Sequence, residues 1–297
     1  MMYNKDNPLR LFEVCAGYGS QALALKRLKE DYPEFDYKLV GWCDYDPEMP
    51  NTPLEKQPAV LAHDALHPEG KGHNWGDLTK IDWTQVPDFD LLTYSTPCQS
   101  ISQAGLQHGF VEGSGTRSSI IWSVRNALKI KRPKYALLEN VAAMVSSKFL
   151  PMFNLWRDEV RRLGYNNFAE VLNAKDYGIP QNRERIFLLS IRDDGENPQY
   201  YFPNKMKLIK SLKDILEDDV DVKYYLNPNK VDQFVRDNMV MIEKYAREDD
   251  GAIEPLPDHL RKWLEEFPES DTADGGGEEQ SDDEQETCPD IFACADE

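Results

Sequence analysis

A short apolar strand that runs directly into a glycine turn and then a helix constrains this chain most. Leu9 to Cys15 is followed without a linker by Ala16-Gly17-Tyr18-Gly19-Ser20, and a helical stretch runs from Gln21 to Lys29. A strand of this kind needs neighbouring strands to bury it. Glycines at the turn let a ligand approach the backbone closely. The third glycine of a dinucleotide fingerprint is lacking.

The pattern recurs. Leu39–Cys43 reads as a second strand ending at Asp44-Tyr45-Asp46, and Asp90–Ser95, Tyr135–Glu139 and Arg185–Ile191 read as further strands. Helical spacing covers 117–131 and 149–163, and a loop-rich stretch at 47–75 holds five prolines and a short helix or strand around 58–66. Strands alternating with helices predict an α/β fold with a doubly wound, mostly parallel sheet over residues 1–192. Residues 193–267 predict a small C-terminal module, with two helical pieces over 231–266. Residues 268–297 are Asp/Glu/Gly-rich and predict a disordered acidic tail.

The net charge of −19 at first argues against a nucleic-acid partner. Its distribution removes that objection. Residues 265–297 carry 14 acids and no Lys or Arg, whereas the 264 residues before them hold 39 acids against 34 bases. A nearly balanced body can carry a local basic cleft. No apolar run is long enough to span a membrane, and the N-terminus lacks an apolar signal core. A cytoplasmic chain with no membrane partner is expected. The five cysteines (15, 43, 98, 288 and 294) have no framework spacing and are expected to be reduced.

Five constellations could carry chemistry. Gly17 and Gly19 form the turn. Asp44 follows the second strand, where an acid commonly holds a ribose diol, and Asp77 could accept from an adenine amino group; either alone is more often a surface or capping acid. Cys98, in Pro97-Cys98-Gln99, sits just past a buried strand in a polar loop, a place for a nucleophile as well as for a small core residue. Glu139, in Glu139-Asn140-Val141, ends an apolar strand, so it needs either an arginine partner or a proton to hold. Arg183 and Arg185, on one side by alternation, suit a phosphate, a carbonyl or a carboxylate, or form a surface ladder. His63, His67 and His73 share a loop region, but no paired motif completes a zinc site, and no metal is expected.

In this order the pieces resemble the cytosine-5 DNA methyltransferases. The matching residues are Phe12-x-x-x-Ala16-Gly17-x-Gly19, Asp44, Gly76-Asp77, Pro97-Cys98-Gln99, Glu139-Asn140-Val141 and Gln181-x-Arg183-x-Arg185, over about residues 9–226. The resemblance implies a Rossmann-like, S-adenosylmethionine-dependent enzyme acting on a flipped-out cytosine. It implies Cys98 as the nucleophile on carbon 6, Glu139 at ring nitrogen 3, Arg185 on the base carbonyl, and Arg183 orienting Glu139 or holding a phosphate. For the cofactor it implies Phe12 and Tyr45 against the adenine, Gly17 and Gly19 at the methionine part, Asp44 on the ribose, Asp77 on the adenine amino group, and Pro97 beside it. DNA is the expected partner, and the motifs leave RNA open. The family's later Arg-bearing helix and Gly-Asn-Ser-Val-like segment have no counterpart after Ile191. A second subunit supplying target recognition, a truncated or frame-shifted product inactive alone, or an unusual minimal recognition module over 193–266 are the readings of that departure.

Overall fold

In a computed structural model, residues 2–101 and 109–217 are described. The expected helical pieces at 231–266, the acidic tail, Cys288 and Cys294 lie outside them. One compact unit runs to Ile215. The segment after residue 192 stays with it: Met206 N–H donates to Asp176 O at 2.7 Å, Tyr177 Oη donates to Pro203 O at 3.0 Å, and Tyr200 meets Phe168 edge-on.

Six strands form one sheet: β1 Leu9–Val14, β2 Tyr37–Cys43, β3 Leu91–Tyr94, β4 Tyr135–Val141, β5 Tyr165–Asn173 and β6 Glu184–Arg192. Their order is β2-β1-β3-β4-β6-β5. The first four pair in parallel, and β6 pairs antiparallel with both β4 and β5. The helices are α1 Ser20–Asp31, α2 Pro58–Leu66, α3 Val124–Lys131 and α4 Leu150–Arg162. The expected α/β, mostly parallel fold is present. From β1 the chain moves one way to β2 and the other way to β3, so right-handed crossovers place helices on opposite faces. The carboxyl ends of β1 and β3 flank this switch point, where open α/β sheets bind ligands.

Strand β5 is absent from the sequence reading. Its buried residues, Tyr165, Ala169 and Asn173, fall every fourth position rather than every second, so no alternation marks it. The helix expected over 117–131 divides into a 3-10 stretch, Arg117–Ser123, and then α3.

Apolar residues cover both faces of β1. Phe12, Glu13 and Val14 are all buried, and the pairing with β2 shifts register between Leu11 and Phe12. Gly41 makes room for this shift, since a Cβ there would lie 2.8 Å from the Phe12 ring. Trp156 of α4 meets Tyr94 of β3 and Trp122 edge-on, and its Nε1 donates to Tyr94 Oη at 3.3 Å.

Candidate active site

The residues expected to act lie at the carboxyl edge of the sheet. A cavity of about 1040 Å³ there is bordered by Cys15, Asp44, Tyr45, Asp77, Ser95 and Pro97, and by the 3-10 stretch that begins at Arg117. Four of the seven expected cofactor residues (Asp44, Tyr45, Asp77 and Pro97) line it.

The turn after β1 is held from the neighbouring strand end. Gly17 N–H donates to Asp44 Oδ2 at 2.7 Å, with Gly17 at φ +57° and Gly19 at φ +77°. Burial pushes the Asp44 carboxyl above its usual range, against the pull of the Gly17 and Tyr45 amides. Asp77 is raised by burial, yet the Thr79 amide and hydroxyl and the Lys80 ammonium outweigh that and hold it below the ordinary value. Asp77 also caps its own 3-10 turn through Thr79 N–H at 2.9 Å. Lys80 Nζ lies 5.8 Å above the Tyr45 ring.

Phe12 requires a correction. Its ring is wholly buried, packed against Trp83 and Phe89 with centroids 5.2 Å away in each case, and it leaves no surface for an adenine. The residue of this strand end that borders the cavity is Cys15, at φ +52°, a thiol that burial raises well above its usual range. The signal was its place immediately before Ala16-Gly17.

At the other edge of the cavity stands the loop after β3. Pro97 and Gln99 line the cavity, and Cys98 between them is a half-buried free thiol whose carbonyl accepts from Ile101 N–H at 2.8 Å. The loop is tied down by Asn140, which is nearly fully buried and donates Nδ2–H to Thr96 O at 3.0 Å. Asn140 is therefore the member of Glu139-Asn140-Val141 that fixes the thiol's loop, a role the sequence reading did not assign. Asn140→Leu leaves the buried Thr96 carbonyl without its donor. Denaturant unfolding is expected to record a loss of about 1–3 kcal/mol.

Glu139 and Arg185 are brought together by the antiparallel pairing of β4 and β6. Glu139 stands opposite Phe187 and Val141 opposite Arg185, so Glu139 and Arg185 form a diagonal pair on one face. Arg185 Nε lies 3.1 Å from Glu139 Oε1, with both side chains 23% exposed. The arginine paired with Glu139 is thus Arg185, whereas the resemblance offered Arg183 either that part or a phosphate. Arg183 is exposed and held through its backbone: its N–H donates to Asn173 Oδ1 at 3.1 Å and its carbonyl accepts from Ala174 N–H at 3.0 Å. Arg117, unremarked in the sequence, spans the site, donating to Gln99 Oε1 at 3.0 Å and Glu48 Oε1 at 2.8 Å. Among the described residues no group of His, Cys, Asp and Glu could hold a metal, and no helix is long and apolar enough to cross a membrane.

A family model described as C-5 cytosine-specific DNA methylase matches residues 9–281. The chain belongs to this family. The match extends past residue 226, where the motif resemblance ended. The chain is 37% identical over 264 residues to the type II methyltransferase M2.ScrFI of Lactococcus lactis subsp. cremoris, covering 75% of this chain and 71% of that protein. It is 32% identical over 273 residues to the orphan methyltransferase M.SssI of Spiroplasma monobiae, covering 75% and 69%. Among solved structures, a Spodoptera frugiperda DNMT2 mutant superposes with a TM-score of 0.55 at 19% identity, over 74% of this chain and 62% of that one. A putative DNA modification methyltransferase from an E. coli prophage gives 0.53 at 21% identity, over 72% and 56%. These two structural likenesses concern the fold.

Proposed function

We propose that this chain methylates carbon 5 of cytosine in DNA, with S-adenosylmethionine as methyl donor and Cys98 as covalent nucleophile. The observation that carries the proposal is the placement of the Cys98 loop, which borders the cavity at the switch point, and the Glu139–Arg185 pair at the carboxyl ends of the adjacent strands β3 and β4.

The cavity suits the cofactor. A Cβ built on Gly17 would meet nothing within 4 Å, so the space before the turn is open. Asp44 offers a half-buried carboxylate to a ribose diol, Asp77 an acceptor to an adenine amino group, Tyr45 a ring to the base, and Pro97 an apolar wall. Gly17 and Gly19 would leave room for the methionine part. When bound, S-adenosylmethionine supplies an electrophilic methyl group.

The protein's part is to make carbon 5 nucleophilic. The Cys98 thiolate adds to carbon 6, and the ring electrons move toward nitrogen 3 and carbon 5. Glu139, held in place by Arg185, gives or shares a proton at nitrogen 3 and so relieves the charge. Once carbon 5 carries the methyl group, its proton leaves to a base, and the electron pair released expels Cys98 as thiolate. The duplex must first present the base outside the stack. Arg183, exposed and without a side-chain partner among the described residues, is available to a phosphate. We include in the proposal a second subunit that chooses the target.

Transfer of labelled methyl groups to DNA and to tRNA, with and without candidate partner subunits, tests this reading. Label in DNA is expected; label in tRNA alone would reject DNA as substrate. Arg185→Ala is expected to lower kcat/KM about 100-fold, because it frees the Glu139 carboxylate from its fixed position. Arg183→Ala is expected to cost about tenfold or less and to weaken the salt dependence of DNA binding. Steady-state kinetics and binding at several salt concentrations separate the two arginines.

A further inference from the structure

Against the glycine turn, and outside the lining of the cavity, lies a cluster of titratable groups that the chemistry above does not use. Glu13 of β1, His63 of α2 and His67, the residue that closes α2, are all wholly buried. Glu13 Oε1 accepts the Ala22 N–H of the first turn of α1 at 3.0 Å, and Glu13 Oε2 lies 3.5 Å from His63 Nε2. The His63 ring stacks on Trp42 of β2 with centroids 3.7 Å apart, and the His67 ring lies 4.8 Å further on. His67 Nε2 lies 3.2 Å from Tyr18 O and 3.0 Å from Gly19 O. Carbonyl oxygens only accept, so Nε2 carries the hydrogen. The fit is close: a Cβ on Gly19 would lie 2.4 Å from His67 Nε2.

The turn is thus fixed from three directions. Asp44 takes the Gly17 N–H, Glu13 takes the Ala22 N–H, and His67 donates to the two carbonyls between them. Only Asp44 of these three borders the cavity. We infer that His67, packed against His63, is a positioning residue that fixes the Tyr18–Gly19 carbonyls and thereby sets the affinity of the glycine turn for its ligand. Helix α2, which otherwise meets the cavity through Ala59, acquires a defined part in cofactor binding. The inference rests on the reading of that ligand as S-adenosylmethionine.

The mechanism is pre-organisation. Without the His67 donor, Tyr18 O loses its side-chain partner and Gly19 O keeps only the Leu23 N–H of α1, so the turn is free to relax. Binding must then restore the competent shape, and affinity falls by the fraction of molecules that hold it. The transfer step at saturating cofactor is unaffected, because His67 touches neither substrate nor reacting atoms.

The test is calorimetric titration of S-adenosylmethionine and S-adenosylhomocysteine into the full chain and its variants, with unfolding measured separately without ligand. His67→Gln places an amide donor where Nε2 stands, and Kd is expected within about threefold of the wild type. His67→Asn stops short of the carbonyls, and His67→Leu removes the donor; each is expected to raise Kd tenfold or more with kcat retained at saturating cofactor. Where the leucine variant does not fold, the contrast between glutamine and asparagine decides. Equal affinity in the asparagine variant and the wild type overturns the inference while leaving the cofactor reading intact. A wild-type chain that binds neither ligand overturns both.

Discussion

Replacing Cys98 with alanine is expected to reduce methyl transfer by about 10⁴-fold or more, because the thiols that border the cavity, Cys15 and Cys43, are held in their protonated form by burial and do not take over the covalent addition to carbon 6. Affinity for the cofactor is expected to stay within about twofold. Cys98 is half-buried in the loop after β3, and its neighbours Pro97 and Gln99, not the thiol, border the cavity. The loop keeps its shape through the bond from Asn140 to the Thr96 carbonyl, and alanine does not disturb it. Initial rates with labelled cofactor and calorimetric binding on the same preparation check both halves. Activity within tenfold of the wild type would remove Cys98 from the mechanism.

Gly19→Ala is expected to be the most damaging single-methyl change in the described residues. Two costs coincide. At φ +77° an alanine is strained by about 1–2 kcal/mol, and its Cβ would stand 2.4 Å from the buried His67 ring, which cannot swing away. Together these are expected to cost roughly 3–5 kcal/mol of stability by denaturant unfolding. Gly17→Ala is the matched control. It shares the positive φ, +57°, but meets nothing within 4 Å. Only the strain of about 1 kcal/mol is expected there, together with weaker cofactor binding, since the new methyl enters the open space before the turn. Equal stability of the two variants would show that His67 yields.

Those two glycines also mark how far the sequence could be read. The strand, turn and helix at 9–31 are contiguous, so their pattern was local and visible. The same holds for Asp44 and Pro97, which lie just past strand ends; with Asp77, which caps a 3-10 turn, they border the cavity. Phe12 was misplaced because the resemblance matched it by motif spacing alone, whereas Phe12, Glu13 and Val14 are all buried inside the sheet. Cys15, the residue that took its place at the cavity, had no apolar–polar signal of its own. The partnership of Glu139 with Arg185 depends on β6 running antiparallel to β4, which no local pattern reports. The cluster of Glu13, His63 and His67 depends on α2 returning to the back of β1, and in the sequence those histidines resembled only an incomplete metal site.

The most direct measurement is trapping of the covalent complex on DNA containing 5-fluorocytosine, with S-adenosylmethionine present. Fluorine on carbon 5 cannot leave as a proton does, so elimination stops with Cys98 still bound to carbon 6. A denaturation-resistant protein–DNA species is expected from the wild-type chain together with any partner it requires, and none is expected from Cys98→Ala. An adduct that persists in Cys98→Ala would contradict the mechanism, as would the absence of an adduct from a wild-type preparation that binds both DNA and cofactor.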